Sequence, residues 1–184
     1  MIYPSTFKVS RRAPSLKEMN WLYEWISTQI ANKDLISTPR ILEFGSGITT
    51  YVISSAIPNF SRYVCVENFP LCVDQVQKHV NRVEFEKLSW HNIPKIEYDL
   101  VFVDSSSLAP PDLKSLKDKV FRDDAIHYVM PFVAPNCYFI VHDWCYKWAW
   151  LRPKRYFKER NYKLIASLTT KHGIGIYRKN VIGI

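Results

Sequence analysis

Apolar residues follow two rhythms along this chain. Between Ser15 and Lys33 they recur at helical spacing, at Leu16, Met19, Leu22, Tyr23, Ile26 and Ile30, which predicts one amphipathic helix. Ser15 is placed to cap that helix, and Glu18, three residues on, to close a capping box. Elsewhere the apolar residues form short runs at 40–44, 62–66, 98–103 and 137–142, with a short strand also expected at 82–86. Runs of this kind suit strands buried on both faces of a sheet. Helices are predicted between them at 49–56, stopped by Pro58, at 70–80 and at 122–132. The tail adds a helix at 152–159 and strands at 162–168 and 173–178. Strands alternating with helices imply a parallel sheet. The last two strands are joined only by Thr169-Thr170-Lys171-His172, a link short enough for an antiparallel hairpin alone. The expected fold is α/β, one domain over 1–184, with an N-terminal arm at 1–13, a helix at 15–33 and a core at 39–179.

The chemistry gathers where apolar runs stop. Ile41-Leu42-Glu43-Phe44-Gly45-Ser46-Gly47-Ile48-Thr49-Thr50 reads as a buried strand turning sharply into a helix. Two glycines two apart remove the Cβ atoms that would hold a ligand off the backbone. The helix that follows offers free N–H groups to an anionic or polar group. Glu43 is expected at the mouth of the turn, accepting hydrogen bonds or balancing a cation. Strand 62–66 ends at Glu67, about 20 residues beyond the turn, the place of an acid that takes both hydroxyls of a ribose. The alternative is a solvated acid capping the helix that begins near Pro70. Asp104 ends strand 98–103, and His142 and Asp143 end strand 137–142, at the sheet margin where ligands of open α/β folds sit.

Glu43-x-Gly45-x-Gly47-x-x-Thr50, Glu67, Asp104 and Asp143 in this order resemble the class I S-adenosylmethionine-dependent methyltransferases. The resemblance covers residues 15–179. It implies a three-layer Rossmann-like sandwich whose seven-stranded sheet is parallel except for an antiparallel last strand, and S-adenosylmethionine as cofactor. The cofactor-binding set it implies is Glu43, Gly45, Ser46, Gly47, Thr50, Glu67, Asn68, Trp90 and Asp104. Two departures stand out. The turn before strand 137–142 carries Ala134-Pro135-Asn136 in place of a glycine pair, Asn tolerating positive φ. The acid that reads adenine after the third strand has no counterpart; Ser89, Trp90 and His91 lie there, and Trp90 either stacks on adenine or belongs to the core.

Methyl transfer from a sulfonium needs alignment and a deprotonated acceptor. The catalytic candidates are Asp104, His142, Asp143 and Arg122. An unperturbed imidazole titrates near neutrality, and His142 is either a base or a hydrogen-bonding spacer. In catechol-type methyltransferases a strand-four acid joins an Asp-Asn pair after strand five around magnesium; the matching positions are Asp104, His142 and Asp143, where the imidazole weakens the match or points to another metal. No metal is the primary expectation. Residues 105–121 form a Pro- and Ser-rich loop placed as a lid. Arg122 stands where small methyltransferases of sugar and polysaccharide modification can carry an Arg, whereas Asp123 and Asp124 suit a helix start. The aromatics Trp144, Tyr146, Trp148, Trp150, Tyr156 and Phe157, interleaved with cations, either stack bases or sugars or pack on the sheet. Trp21 and Trp25 either pack or cover the acceptor pocket.

Composition narrows the setting. Hydrophobic residues make up 47% of the chain and no run approaches the ~20 residues of a membrane span. The basic N-terminus lacks the apolar core of a secretory signal. The four cysteines have no metal-ligand spacing, and Cys65 and Cys137 fall inside strands as small buried thiols, so a reducing, cytoplasmic setting is expected. The net charge of +8 is spread widely, with local density at Lys147 to Arg160; it is compatible with nucleic acid, though no RNA-binding motif or zinc knuckle is present. The expected function is methyl transfer to a small or sugar-like acceptor, at oxygen. The rival readings are a nucleic-acid methyltransferase, a nicotinamide-dependent oxidoreductase, disfavoured by Glu43 and Thr50, and a non-catalytic adaptor. A homo-oligomer remains open.

Overall fold

A computed structural model describes residues 14–67, 69–86, 93–104, 121–145 and 154–180, with backbone alone at 121–124. Its elements in chain order are α1 (Leu16–Ala31), β1 (Arg40–Phe44), α2 (Ile48–Ala56), β2 (Arg62–Val66), α3 (Pro70–Gln77), β3 (Glu84–Glu86), β4 (Tyr98–Val103), α4 (Phe121–Val129), β5 (Val133–His142), β6 (Tyr162–Leu168) and β7 (Ile174–Lys179). Residues 154–159 are also helical. The strands form one seven-stranded sheet in the order β3-β2-β1-β4-β5-β7-β6. β7 runs antiparallel between β5 and β6, and the other pairings are parallel. The expected Rossmann-like sheet with an antiparallel last strand is therefore present.

The period-2 geometry of strands divides each apolar run between two cores. Leu42, Phe44, Val64, Val66, Val101, Val103, Phe139 and Val141 face Ala125, Ile126 and Val129 of α4. Ile41, Tyr63, Cys65, Leu100, Phe102, Tyr138 and Ile140 face Met19, Leu22 and Ile26 of α1 and Ile48, Val52 and Ile53 of α2. Each fully buried side chain of this kind contributes roughly 1.5–3 kcal/mol, so these two layers supply most of the apolar stabilisation of the sheet. The capping box of α1 is formed: Glu18 N donates to Ser15 Oγ and Ser15 N donates to Glu18 Oε2. Leu16, expected on the apolar face, is exposed.

The expected turn at Ala134-Pro135-Asn136 is not a separate turn. β5 begins at Val133, and its pairing to β4 jumps from Tyr98↔Val133 to Leu100↔Tyr138. The surplus residues bulge out, with Pro135 and Asn136 exposed. A bulge is where a strand tolerates proline, which has no N–H to give. Strand β3 is shorter than expected, and the helix expected at 122–132 ends as a 3-10 turn, Met130–Phe132, where Pro131 denies it an N–H. Among the aromatics, Trp144 lies against β7, where a Cβ on Gly175 would come within 2.2 Å of its ring. Phe157 is fully buried and Trp25 meets Tyr138 edge-on, so these residues pack. The expected arm at 1–13, the lid at 105–120, and Tyr146, Trp148 and Trp150 lie outside the described residues. Among the described residues, no helix is long and apolar enough to cross a membrane.

Candidate active site

Strand register assembles the site. Phe44 pairs with Val66 and with Val103, and Val103 pairs with Val141. One residue further, Gly45, Glu67, Asp104 and His142 therefore stand in a row across four parallel strands. The ladder continues just past the strands: Gly45 N donates to Val66 O at 3.0 Å and Asp104 N to Phe44 O at 3.0 Å. Because β7 is antiparallel and its first residue, Ile174, pairs with His142, the hairpin 169–173 returns to this same rim.

The glycine turn is held from two sides. Ser46 donates through N (2.7 Å) and Oγ (3.0 Å) to Glu67 Oε2, while Phe69 N donates to Glu67 Oε1 at 2.8 Å. Gly47 N donates to Thr50 Oγ1 at 3.1 Å, tying the turn to the first coil of α2. Gly45 has φ 92, a conformation that favours glycine. Among the described residues, a Cβ added at Gly47 would meet no atom within 4 Å, so a ligand could approach the backbone there directly.

The structure corrects two of the expected contacts. Glu43 shares the face of Ile41 and points beneath α2, with 0% exposure. Its Oε1 accepts from Thr49 Oγ1 at 2.5 Å and its Oε2 from Tyr63 OH at 2.6 Å. Burial lifts its carboxyl to about 7, against the opposing hydroxyl hydrogen bonds. Glu43 therefore braces the turn from below and presents no surface to a ligand. Thr50 is likewise fully buried and acts through Gly47. Asn68 and Trp90 lie outside the described residues, as does the side chain of Arg122.

On the far half of the rim, two imidazoles stand among three carboxylates. His142 Nδ1 lies 2.7 Å from Asp104 Oδ1 and 3.9 Å from Asp143 Oδ1, and its Nε2 lies 4.0 Å from Glu18 Oε2. His172 Nδ1 lies 2.7 Å from Asp143 Oδ1, and the two rings stack with centroids 5.7 Å apart. Asp143 has φ 56, a left-handed backbone that Asp tolerates and that turns its carboxylate back toward both rings. Burial disfavours charge on His142, yet Asp104, through charge and hydrogen bond, with Asp143 and Glu18 behind it, lifts its pKa above the usual imidazole value. Burial also works against the Glu18 charge, but Thr170 Oγ1, Ser15 N and Oγ, and Gly173 N all donate to it and hold its carboxyl low.

Glu18 and His172 are the two members of this cluster that the sequence reading missed. Glu18 was fully accounted for by its capping box, although it also ties α1 to the β6–β7 hairpin. His172 was legible in principle, since an antiparallel last strand must bring its hairpin to the rim where the parallel strands end.

A scan against protein-family models and a search of curated proteins find no match to the sequence. Solved structures do match in fold. An O-methyltransferase from Bacillus cereus in complex with SAH is 12% identical, with 93% of this chain and 84% of that chain covered at a TM-score of 0.68. The O-methyltransferase TomG from Streptomyces achromogenes, involved in tomaymycin synthesis and in complex with SAM, is 12% identical, with 95% and 92% covered at a TM-score of 0.63. The ribosomal protein L11 methylase from Lactobacillus delbrueckii subsp. bulgaricus is 10% identical, with 91% and 81% covered at 0.64. The fold is that of the Rossmann-like S-adenosylmethionine-dependent methyltransferases. Neighbours acting in such different settings mean that the fold alone does not choose the acceptor.

Proposed function

We propose that this chain is an S-adenosylmethionine-dependent methyltransferase acting at oxygen on a small, sugar-like acceptor. The observation that carries the reading is the pairing of an open glycine backbone at Gly47 with Glu67, clasped together by Ser46 at the rim. Gly45, Ser46 and Gly47 would lie along the cofactor, and the Glu67 carboxylate would receive the ribose hydroxyls. The fit is favourable because a ligand over Gly47 displaces no side chain of the described residues. S-adenosylmethionine, when bound, supplies a methyl group activated on a sulfonium.

The acceptor side is the carboxylate-rich half of the rim. The side chains of Asp104 and Asp143 are 18% and 20% exposed, while that of His142 is fully buried. Asp104 and Asp143 are therefore the groups an acceptor would meet; His142 holds the first and His172 the second. Carboxylates accept hydrogen bonds from hydroxyls and repel phosphates. That favours a neutral polyhydroxylated acceptor over nucleic acid despite the +8 net charge. Incubation with methyl-labelled S-adenosylmethionine and separate panels of neutral sugars and RNA tests this. Label should reach a neutral sugar in base-stable linkage; label on RNA alone, or on neither panel, would refute the acceptor class.

A further inference from the structure

The two imidazoles and their carboxylates are arranged as more than a pair of hydrogen bonds. Asp104 Oδ1, His142 Nδ1, Asp143 Oδ1 and His172 Nδ1 follow one another at 2.7, 3.9 and 2.7 Å. One ligand atom each from His142, Asp143 and His172 lies within 4.8 Å of the other two. A first-row metal binds nitrogen and carboxylate oxygen at about 2.0–2.2 Å, so donors around one ion sit about 3–4 Å apart. The cluster is already near that spacing. It draws on the β5 end and the β6–β7 hairpin, with Asp104 at the β4 end beside it. Such a set is rigid because each donor stands on or next to a strand of the same sheet.

We propose that His142, Asp143 and His172 bind one divalent transition-metal ion, with Asp104 beside His142 as a further carboxylate ligand or as the group that orients its ring. The donor set decides the class of ion. Two imidazoles favour zinc, iron, nickel or copper, with cobalt as a spectroscopic stand-in, whereas magnesium, calcium and manganese suit oxygen ligands. Two nearby acids, Asp104 and Glu18, offset the positive charge of the ion. The site departs from the set expected from sequence, Asp104, His142 and Asp143, by gaining His172 from the hairpin. The partial exposure of Asp143 and His172, side chains 20% and 17%, leaves the ion reachable from the acceptor side.

Cobalt(II) is the probe, because nitrogen and oxygen ligation changes its visible absorption in a way that does not depend on turnover. Titration of the full chain should saturate at one cobalt per chain with an intensified, shifted band, and zinc should displace it. His172→Ala should weaken cobalt binding at least about a hundredfold. Asp143→Asn should do the same, and Asn tolerates the left-handed backbone at that position, so the turn survives in at least this variant. S-adenosylhomocysteine titrated calorimetrically into the same preparations should bind wild type and both variants alike, since neither residue lies at the glycine turn. Unsaturable cobalt binding, or equal binding by wild type and Asp143→Asn, overturns the metal site. The proposal builds on the methyltransferase reading only in naming this rim the acceptor side, and the two failures are separable: loss of cobalt binding with retained S-adenosylhomocysteine binding sinks the metal alone, and the converse sinks the cofactor alone.

Discussion

Glu67→Ala is expected to lower the affinity for S-adenosylhomocysteine by at least about a hundredfold. A hydrogen bond to a charged group contributes roughly 1.5–3 kcal/mol, and a carboxylate holding both ribose hydroxyls makes two of them. The residue also serves the protein itself. Its oxygens receive Ser46 N, Ser46 Oγ and Phe69 N, so truncation leaves two backbone N–H groups without this acceptor and loosens the turn. The two effects are separated with Glu67→Gln, which keeps the shape and one carbonyl acceptor but removes the charge. Calorimetric titration beside thermal melts should show Glu67→Ala losing both stability and affinity, and Glu67→Gln losing mostly affinity. Wild-type affinity in both variants would remove Glu67 from the binding site.

The second large effect concerns Glu43 and is a matter of stability. Its carboxyl titrates near 7 in the folded chain against 4.5 in the unfolded one, because burial outweighs the hydroxyls of Thr49 and Tyr63. Between those values the folded state holds a proton that the unfolded state has released. Folding stability therefore falls as pH rises through this window, by about 3 kcal/mol once pH exceeds the folded value. Below 4.5 both states are protonated and the effect vanishes. Glu43→Gln removes the titration while keeping a carbonyl for one hydroxyl and an amide to donate to the other. Urea unfolding of wild type and Glu43→Gln at pH 5 and pH 8 should show the variant gaining on the wild type by about 3 kcal/mol at the higher pH. A pH-independent difference between the two proteins would contradict this placement of Glu43.

How far the sequence reached is best seen in these same residues. Apolar runs located β1, β2 and β4 to the residue, because strands covered on both faces carry few polar positions. The row of Gly45, Glu67, Asp104 and His142 followed from strand ends alone, since parallel strands in register end together. Glu43 was misplaced because proximity to the turn was weighed above strand parity; sharing the face of Ile41 sends it into the α1–α2 layer. The start of β5 was hidden because Pro135 reads as a breaker, and only the sheet reveals that a bulge absorbs it. Glu18 and His172 are 154 positions apart in sequence, and their meeting through Thr170 and Gly173 is a tertiary fact with no local pattern.

The central claim is that the turn at 45–47 and the carboxylate of Glu67 hold an adenosyl group over the backbone of Gly47. The direct measurement is calorimetric titration of S-adenosylhomocysteine into wild type, Gly47→Leu, whose side chain enters space that is empty among the described residues, and Gly47→Ala, which carries the same backbone strain at φ 157 without the bulk. Saturable one-to-one binding at micromolar strength by wild type, kept in Gly47→Ala and absent in a Gly47→Leu chain that still melts cooperatively, is the expected result. No heat with wild type, or a Gly47→Leu affinity equal to that of either other protein, would contradict it.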